Sequence, residues 1–153
     1  MRIVALIKAA RHEPGDKGRL DALAPCDAAA LRWGLEIARP GDELIAVTAG
    51  PASSDTALDR ALTLGAHRAL RVWVPEPDVP LLDDNVRGIA ELLAATLRHL
   101  GSVDLVLCGA RSADWASGIT GPAVAFELDL PHLSQLSSIV LKSGEDDGEL
   151  LIE

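Results

Sequence analysis

The chain is 153 residues long, with 48% hydrophobic and only 3% aromatic residues, and its net charge at pH 7 is −9. This length predicts one domain over residues 1–153 with an aliphatic core. The acidic charge excludes an ordinary nucleic-acid surface, and the lack of a long apolar run excludes membrane insertion. The two cysteines are far apart, which predicts free thiols in a reducing compartment, and the four histidines lack metal-ligand spacing, which predicts no metal site. The N-terminal residues do not resemble a signal peptide, so a cytoplasmic location is predicted.

Short apolar runs alternate along the chain with stretches of helical periodicity. In chain order, the predicted elements are a strand at residues 2–8, a polar loop at 11–19, a helix at 27–39, a strand at 43–48, a helix that ends at Gly65, a strand at 68–74, a helix at 84–100, a strand at 104–108, a helix at 117–128 and a strand at 135–141. The acidic, glycine-containing stretch 144–148 is typical of a hairpin turn, so residues 149–153 are predicted to return as a further strand.

This alternation predicts an α/β fold with a doubly wound, Rossmann-like parallel sheet. The expected strand order is 3-2-1-4-5, with a possible C-terminal hairpin. Strands 1 and 4 are then neighbours whose connections leave in opposite directions, and ligands bind in the crevice that opens at such a point. The loops after Lys8 and Cys108 therefore border the predicted ligand site.

The loop at residues 109–121 is the richest in chemistry. Ser117, Gly118 and Thr120 combine hydroxyls with glycine at a predicted helix N-terminus, where backbone N–H groups and the helix dipole favour a phosphate. The same pattern is also an ordinary N-cap, with the following glycine allowing close helix packing. If a phosphate binds there, Gly118→Asp is expected to abolish nucleotide binding.

Other candidate ligand contacts are small or charged residues in neighbouring loops. Thr48, Ala49 and Gly50 would let a ring or ribose approach the backbone, although they also suit a plain turn. Arg111 and Asp114 are candidate phosphate and ribose ligands, or solvated loop charges. Neither a dinucleotide fingerprint nor a P-loop motif occurs, and no nucleophile has an identifiable base. The sequence thus predicts no catalytic residue and favours a binding subunit over an enzyme.

The order of these pieces resembles the β subunit of electron-transfer flavoproteins over nearly the whole chain. The most telling match is the run Ala-Leu-x-x-Gly-Ala-x-Arg-Ala at residues 61–69, which looks like the family's helix-to-strand junction. Further matches are the strand at 3–8, the segment Ala24-Pro25-Cys26-Asp27, the strand and loop at 44–50, the strand at 104–109, Thr120-Gly121-Pro122 and Leu130-Pro131.

The resemblance implies an adenine-nucleotide α-hydrolase-like fold that binds AMP and pairs with an α subunit, which carries most of the FAD. Electrons then pass from flavin dehydrogenases to a membrane quinone reductase or a similar acceptor. By position, Ala9, Ala49 and the stretch from Ser117 to Thr120 would surround the AMP. Ala24, Ala116 and Ile119 stand where the family usually has polar residues. The candidate nucleotide-binding residues are therefore Ala9, Thr48, Ala49, Gly50, Gly109, Arg111, Asp114, Ser117, Gly118, Ile119 and Thr120.

Two other functions remain open at this point. One is a stand-alone nucleotide-sensing domain of the universal-stress type, which would form a homodimer through the edge strand at 149–153. The other is a degenerate domain that binds no nucleotide and serves as an assembly surface.

Overall fold

A four-stranded parallel sheet lies at the centre of the protein. The structure is a computed structural model that describes residues 1–11, 20–75, 85–111, 117–141 and 150–152. Its strands are β1 Arg2–Leu6, β2 Ala9–Arg11, β3 Leu20–Leu23, β4 Glu43–Gly50, β5 Arg68–Trp73, β6 Leu105–Cys108, β7 Ile139–Leu141 and β8 Leu150–Ile152. Its α-helices are α1 Pro25–Ile37, α2 Asp55–Leu64, α3 Val86–Leu100 and α4 Thr120–Leu128.

The central sheet has the order β5-β4-β1-β6, and all of its pairs are parallel. Val4, at the middle of β1, pairs with Ile45 on one side and Val106 on the other. The predicted α/β class is thus confirmed, and so is the order 3-2-1-4 for the first four predicted strands. The fifth predicted strand differs, because only Ile139–Leu141 is extended and it pairs antiparallel with β8 in a separate two-stranded sheet. That pair is the predicted C-terminal hairpin.

Side chains of the central strands alternate between two apolar layers, as strand geometry requires. On β1, Ile3 and Ala5 face the layer that contains α1 and α2, whereas Val4 and Leu6 face the layer that contains α3 and α4. The sheet is therefore covered on both faces, which explains why its strands are continuously apolar. Each fully buried Val, Leu or Ile side chain contributes roughly 1.5–3 kcal/mol relative to an exposed one.

Two short strands that the sequence analysis does not predict flank residues 12–19, where most of the predicted polar loop lies. Ala9–Arg11 and Leu20–Leu23 pair antiparallel as β2 and β3, with a register shift between Ala9 and Ala10. The residues between these strands lie outside the described ranges. Strands of three and four residues are too short to show a measurable periodicity. Their pairing depends on tertiary contacts, so sequence patterns do not predict it.

The ends of α2 and α3 have capping residues, of which Gly65 is predicted from the sequence. Asn85 caps α3, where its side-chain oxygen accepts the Gly88 N–H at 2.9 Å, and Gly65 and Gly101 follow α2 and α3. The helix predicted from residue 117 begins instead at Thr120. Across the described ranges, no helix has both the length and the apolar character needed to span a bilayer.

Candidate functional site

A cleft opens at the carboxyl ends of β1 and β6, the two adjacent strands whose connections leave in opposite directions. The open space that it encloses, including the solvent at its mouth, is about 610 Å³. Its lining consists of Leu6, Ile7, Lys8, Asp27, Ala49, Ile89, Leu93, Cys108, Gly109, Ser117, Gly118, Thr120 and Gly121. The cleft thus lies between the loops that the predicted topology selects.

Five of the residues predicted to bind a nucleotide come together in this cleft: Ala49, Gly109, Ser117, Gly118 and Thr120. Others lie away from its lining: Ala9 and Thr48 are buried, Gly50 is buried against Ser54, and Arg111 and Ile119 are exposed. Asp114 lies outside the described residues. The role of each of them in ligand binding stays a prediction.

Asp27 joins three segments at the base of the cleft. It stands in the first turn of α1, is only 5% exposed, and its Oδ2 accepts the backbone N–H of Lys8 at 2.9 Å. Gly109 packs so closely against it that a Cβ at position 109 would overlap Asp27 Oδ1 and lie 3.1 Å from the Asp27 nitrogen. The start of α1 is therefore bound to the ends of both β1 and β6.

Sequence reasoning treated Asp27 only as a helix opener. An acidic residue in the first turn of a helix is favoured by the helix dipole. Because this local effect already explains Asp27, its contacts with Lys8 and Gly109 were not predicted. The available signal was the position of Asp27 just after Ala24-Pro25, in a segment that faces the loops of the predicted crevice.

Cys108 forms part of the cleft wall as an uncharged thiol. Burial raises its pKa, and the nearby negative charge of Asp27 raises it further. A buried thiol with a raised pKa is a poor nucleophile at neutral pH. A Cβ on Gly121 would lie 2.5 Å from the Cys108 sulfur, so glycine at this position allows α4 to pack against the end of β6.

The segment before α4 turns sharply at Gly118. Its φ of +62° lies in the left-handed region, and a Cβ there would lie 2.7 Å from the Ala110 carbonyl oxygen. This turn prevents the helix from starting at Ser117, which explains the later start. Within α4, the first helical bond joins the Ala123 N–H to the Ile119 carbonyl at 3.0 Å. The N–H groups of the first turn therefore have no carbonyl partner within the helix.

The remaining lining residues are not among the predicted ligand contacts. Leu6, Ile7, Ile89 and Leu93 form an apolar wall, and Lys8 also lines the cleft. Apolar residues that pack in a core and those that line a cleft have the same periodicity, so the sequence does not separate them. Among the described residues, no group of three His, Cys, Asp or Glu side chains is placed to hold a metal ion.

This fold and cleft define a doubly wound α/β protein, a class whose members bind ligands where the strand order reverses. The family model described as "Electron transfer flavoprotein domain" matches residues 16–151, which is most of the chain. The chain therefore belongs to the electron transfer flavoprotein family, and its similarity to β subunits and FixA proteins confirms the resemblance found in its sequence.

Three relatives illustrate that similarity. The chain is 32% identical over 126 residues to "Protein FixA" of Rhizobium meliloti, a match that covers 76% of the chain and 40% of the relative. It is 30% identical to "Electron transfer flavoprotein subunit beta" of Methylophilus methylotrophus, over 68% of the chain and 38% of the relative. It is 31% identical to "Caffeyl-CoA reductase-Etf complex subunit CarD" of Acetobacterium woodii, over 78% of the chain and 45% of the relative. The chain thus spans about two fifths of the length of these curated relatives.

Proposed function

We propose that this chain is a β-subunit-like component of a cytoplasmic electron-transfer complex, binds AMP or a related adenine nucleotide in its cleft, and works with a flavin-carrying α-subunit-like partner. Family membership supports the electron-transfer role, and two of the relatives described above are named as subunits. The single observation that carries the nucleotide is the cleft between the ends of β1 and β6.

The charges around the cleft favour one orientation of the nucleotide. The phosphate belongs at the α4 end, where Ser117 and Thr120 offer hydroxyls and the first turn offers backbone N–H groups. The ribose belongs towards Asp27, which lines the cleft on the side of β1 and α1.

Small residues on the other walls suit the base. Ala49 is small enough to let a flat ring approach the backbone, and Ile89 and Leu93 offer it apolar contact. In this proposal the chain's residues bind and orient the nucleotide. The redox chemistry is assigned to FAD held mainly by the partner, and no residue of this chain reacts.

Thr120→Asp tests the phosphate position without weakening the fold. A carboxylate in the first turn of α4 interacts favourably with the helix dipole, by about 0.3–1 kcal/mol, but opposes a bound phosphate. We expect isothermal titration to give at least about tenfold weaker AMP binding, while the urea midpoint is unchanged or higher. Thr56→Asp, in the first turn of α2 and away from the cleft, is the matched control and should leave AMP affinity unchanged.

Gly118→Asp does not separate a loss of AMP affinity from a loss of stability, because any side chain at this left-handed position disturbs the turn against Ala110. Equal AMP affinities in wild type and Thr120→Asp would move the phosphate away from α4. No binding of AMP, ADP or ATP by the wild type at millimolar concentration would refute the nucleotide part of the proposal.

A further inference from the structure

The outward side of α4 is apolar and exposed. Phe126 is 83% exposed, the highest exposure of any large apolar side chain recorded for the described residues. Ile119 is 47% exposed, Leu130 is 49% exposed, and Pro122 is also exposed. These four residues, Ile119, Pro122, Phe126 and Leu130, are called the α4 stripe below.

Helix geometry places the stripe on one side of α4. Ile119, Pro122 and Phe126 have the spacing i, i+3 and i+7, so their side chains share a face. Asp129 adopts a left-handed conformation after the helix, and the Leu130 N–H then donates to the Ala125 carbonyl at 2.9 Å. This closing turn brings Leu130 back beside the last turn of the helix.

The opposite side of α4 is already buried. Val124 is 2% exposed and packs, with Leu128, into the layer formed by α3 and the sheet. Within α4, Thr120 and Glu127 are the only polar residues, so the helix is apolar around its whole circumference. A helix of this kind is usually buried on all sides, whereas a surface helix has a polar outer face. The stripe is therefore typical of an interface.

We infer that the α4 stripe docks a different subunit, whose contact surface is apolar. A second copy of this chain fits less well, because a net charge of −9 on each copy opposes self-association and favours a partner of opposite charge. Two of the relatives described above are named as subunits, so a surface that binds another subunit is expected.

The inference rests on the proposed function, and it specifies where the flavin-carrying partner binds. Ile119 directly follows Gly118 and precedes Thr120, and both of these line the cleft. A partner seated on the stripe therefore borders the α4 end of the cleft. Phe126, as the largest and most exposed side chain of the stripe, is expected to be the central contact.

The test uses the chain co-expressed with the flavin-carrying α-subunit homologue encoded in the same genome. Affinity is measured with purified proteins by titration calorimetry, and complex formation is followed by flavin absorbance that co-elutes with this chain. Phe126→Asp is compared with Leu62→Asp, which makes the same change at an exposed apolar position of α2, on the opposite face of the sheet. Circular dichroism and urea midpoints establish that both variants fold.

We expect Phe126→Asp to weaken the complex by at least about 30-fold and Leu62→Asp by less than about twofold. A photocrosslinking phenylalanine analogue at position 126 should attach to the α-subunit homologue. Equal affinity for wild type and Phe126→Asp would overturn the docking surface while leaving the proposed function standing.

Two further outcomes would overturn the inference. Crosslinking to a second copy of this chain, with a dimer in analytical ultracentrifugation that Phe126→Asp dissociates, would assign the stripe to self-association. If the wild-type chain binds AMP but forms no complex with the homologue, both the docking inference and the proposed α-subunit-like partner would be refuted. The nucleotide half would then stand alone.

Discussion

Gly109→Ala is expected to destabilise the protein because it drives a methyl group into Asp27. The added Cβ overlaps Asp27 Oδ1 and also meets backbone atoms of Cys26 and Asp27 at 3.1 Å. Overpacking of this kind costs roughly 1–3 kcal/mol. Displacing the carboxylate also weakens its bond to the Lys8 N–H, and bonds to charged groups contribute roughly 1.5–3 kcal/mol. With partial relaxation, we expect a loss of about 3 kcal/mol, or about 6–12 °C in Tm for a chain of this length.

A double-mutant cycle identifies the cause. Asp27→Ala alone should cost about 2 kcal/mol, since it leaves the Lys8 N–H without its carboxylate acceptor. In the double variant the methyl group no longer meets a carboxylate, so the total should be about 3 kcal/mol rather than the sum of about 5 kcal/mol. The measurement is urea unfolding at 25 °C followed by circular dichroism, with equal m-values as the check on two-state behaviour. Costs that add within about 0.5 kcal/mol would refute contact between the two side chains.

Two further predictions concern a surface ion cluster and the turn before α4. Hydrogen bonds from Arg68 and Arg2, at 3.1 and 3.0 Å, lower the pKa of Glu43, so its contribution to stability is present at neutral pH and is lost as the pH falls through its folded-state pKa. Glu43→Gln should therefore lower the urea midpoint at pH 7, and this difference should shrink as the pH falls below the ordinary glutamate pKa of about 4.3; a difference that stays constant with pH would contradict this. Gly118→Ala should lose about 1–2 kcal/mol in urea unfolding, because φ is +62° and the Ala110 carbonyl oxygen lies 2.7 Å from the new Cβ. Unchanged stability would show that the turn relaxes freely.

The central sheet could be predicted because its determinants are local and repeated. Each of the first four predicted strands is an apolar run between turn signals, and burial on both faces is what a parallel sheet with helices on each side requires. When strands alternate with helices, right-handed crossovers and short connections allow only a few strand orders, and 3-2-1-4 is one of them. The position of the cleft follows from that order alone.

The errors have a different physical origin. The pairing of Ala9–Arg11 with Leu20–Leu23 and the separate hairpin of Ile139–Leu141 are decided by tertiary contacts between very short strands. The late start of α4 follows from one backbone angle at Gly118, which the sequence Ser-Gly does not specify. Asp27 had a sufficient local explanation, so its second role at the cleft went unnoticed.

The glycines of the cleft are weak support for a ligand, because packing already explains them. Gly109 makes room for Asp27, Gly118 turns the chain beneath Ala110, and Gly121 makes room for the Cys108 sulfur. A protein that bound nothing would need the same three residues. Support for a nucleotide must therefore come from polar positions that no contact in the described fold requires, and Thr120 at the start of α4 is the one that a substitution can test without loss of stability. For this reason Thr120→Asp decides whether a bound phosphate lies at the start of α4, and titration of the wild type decides whether a nucleotide binds at all.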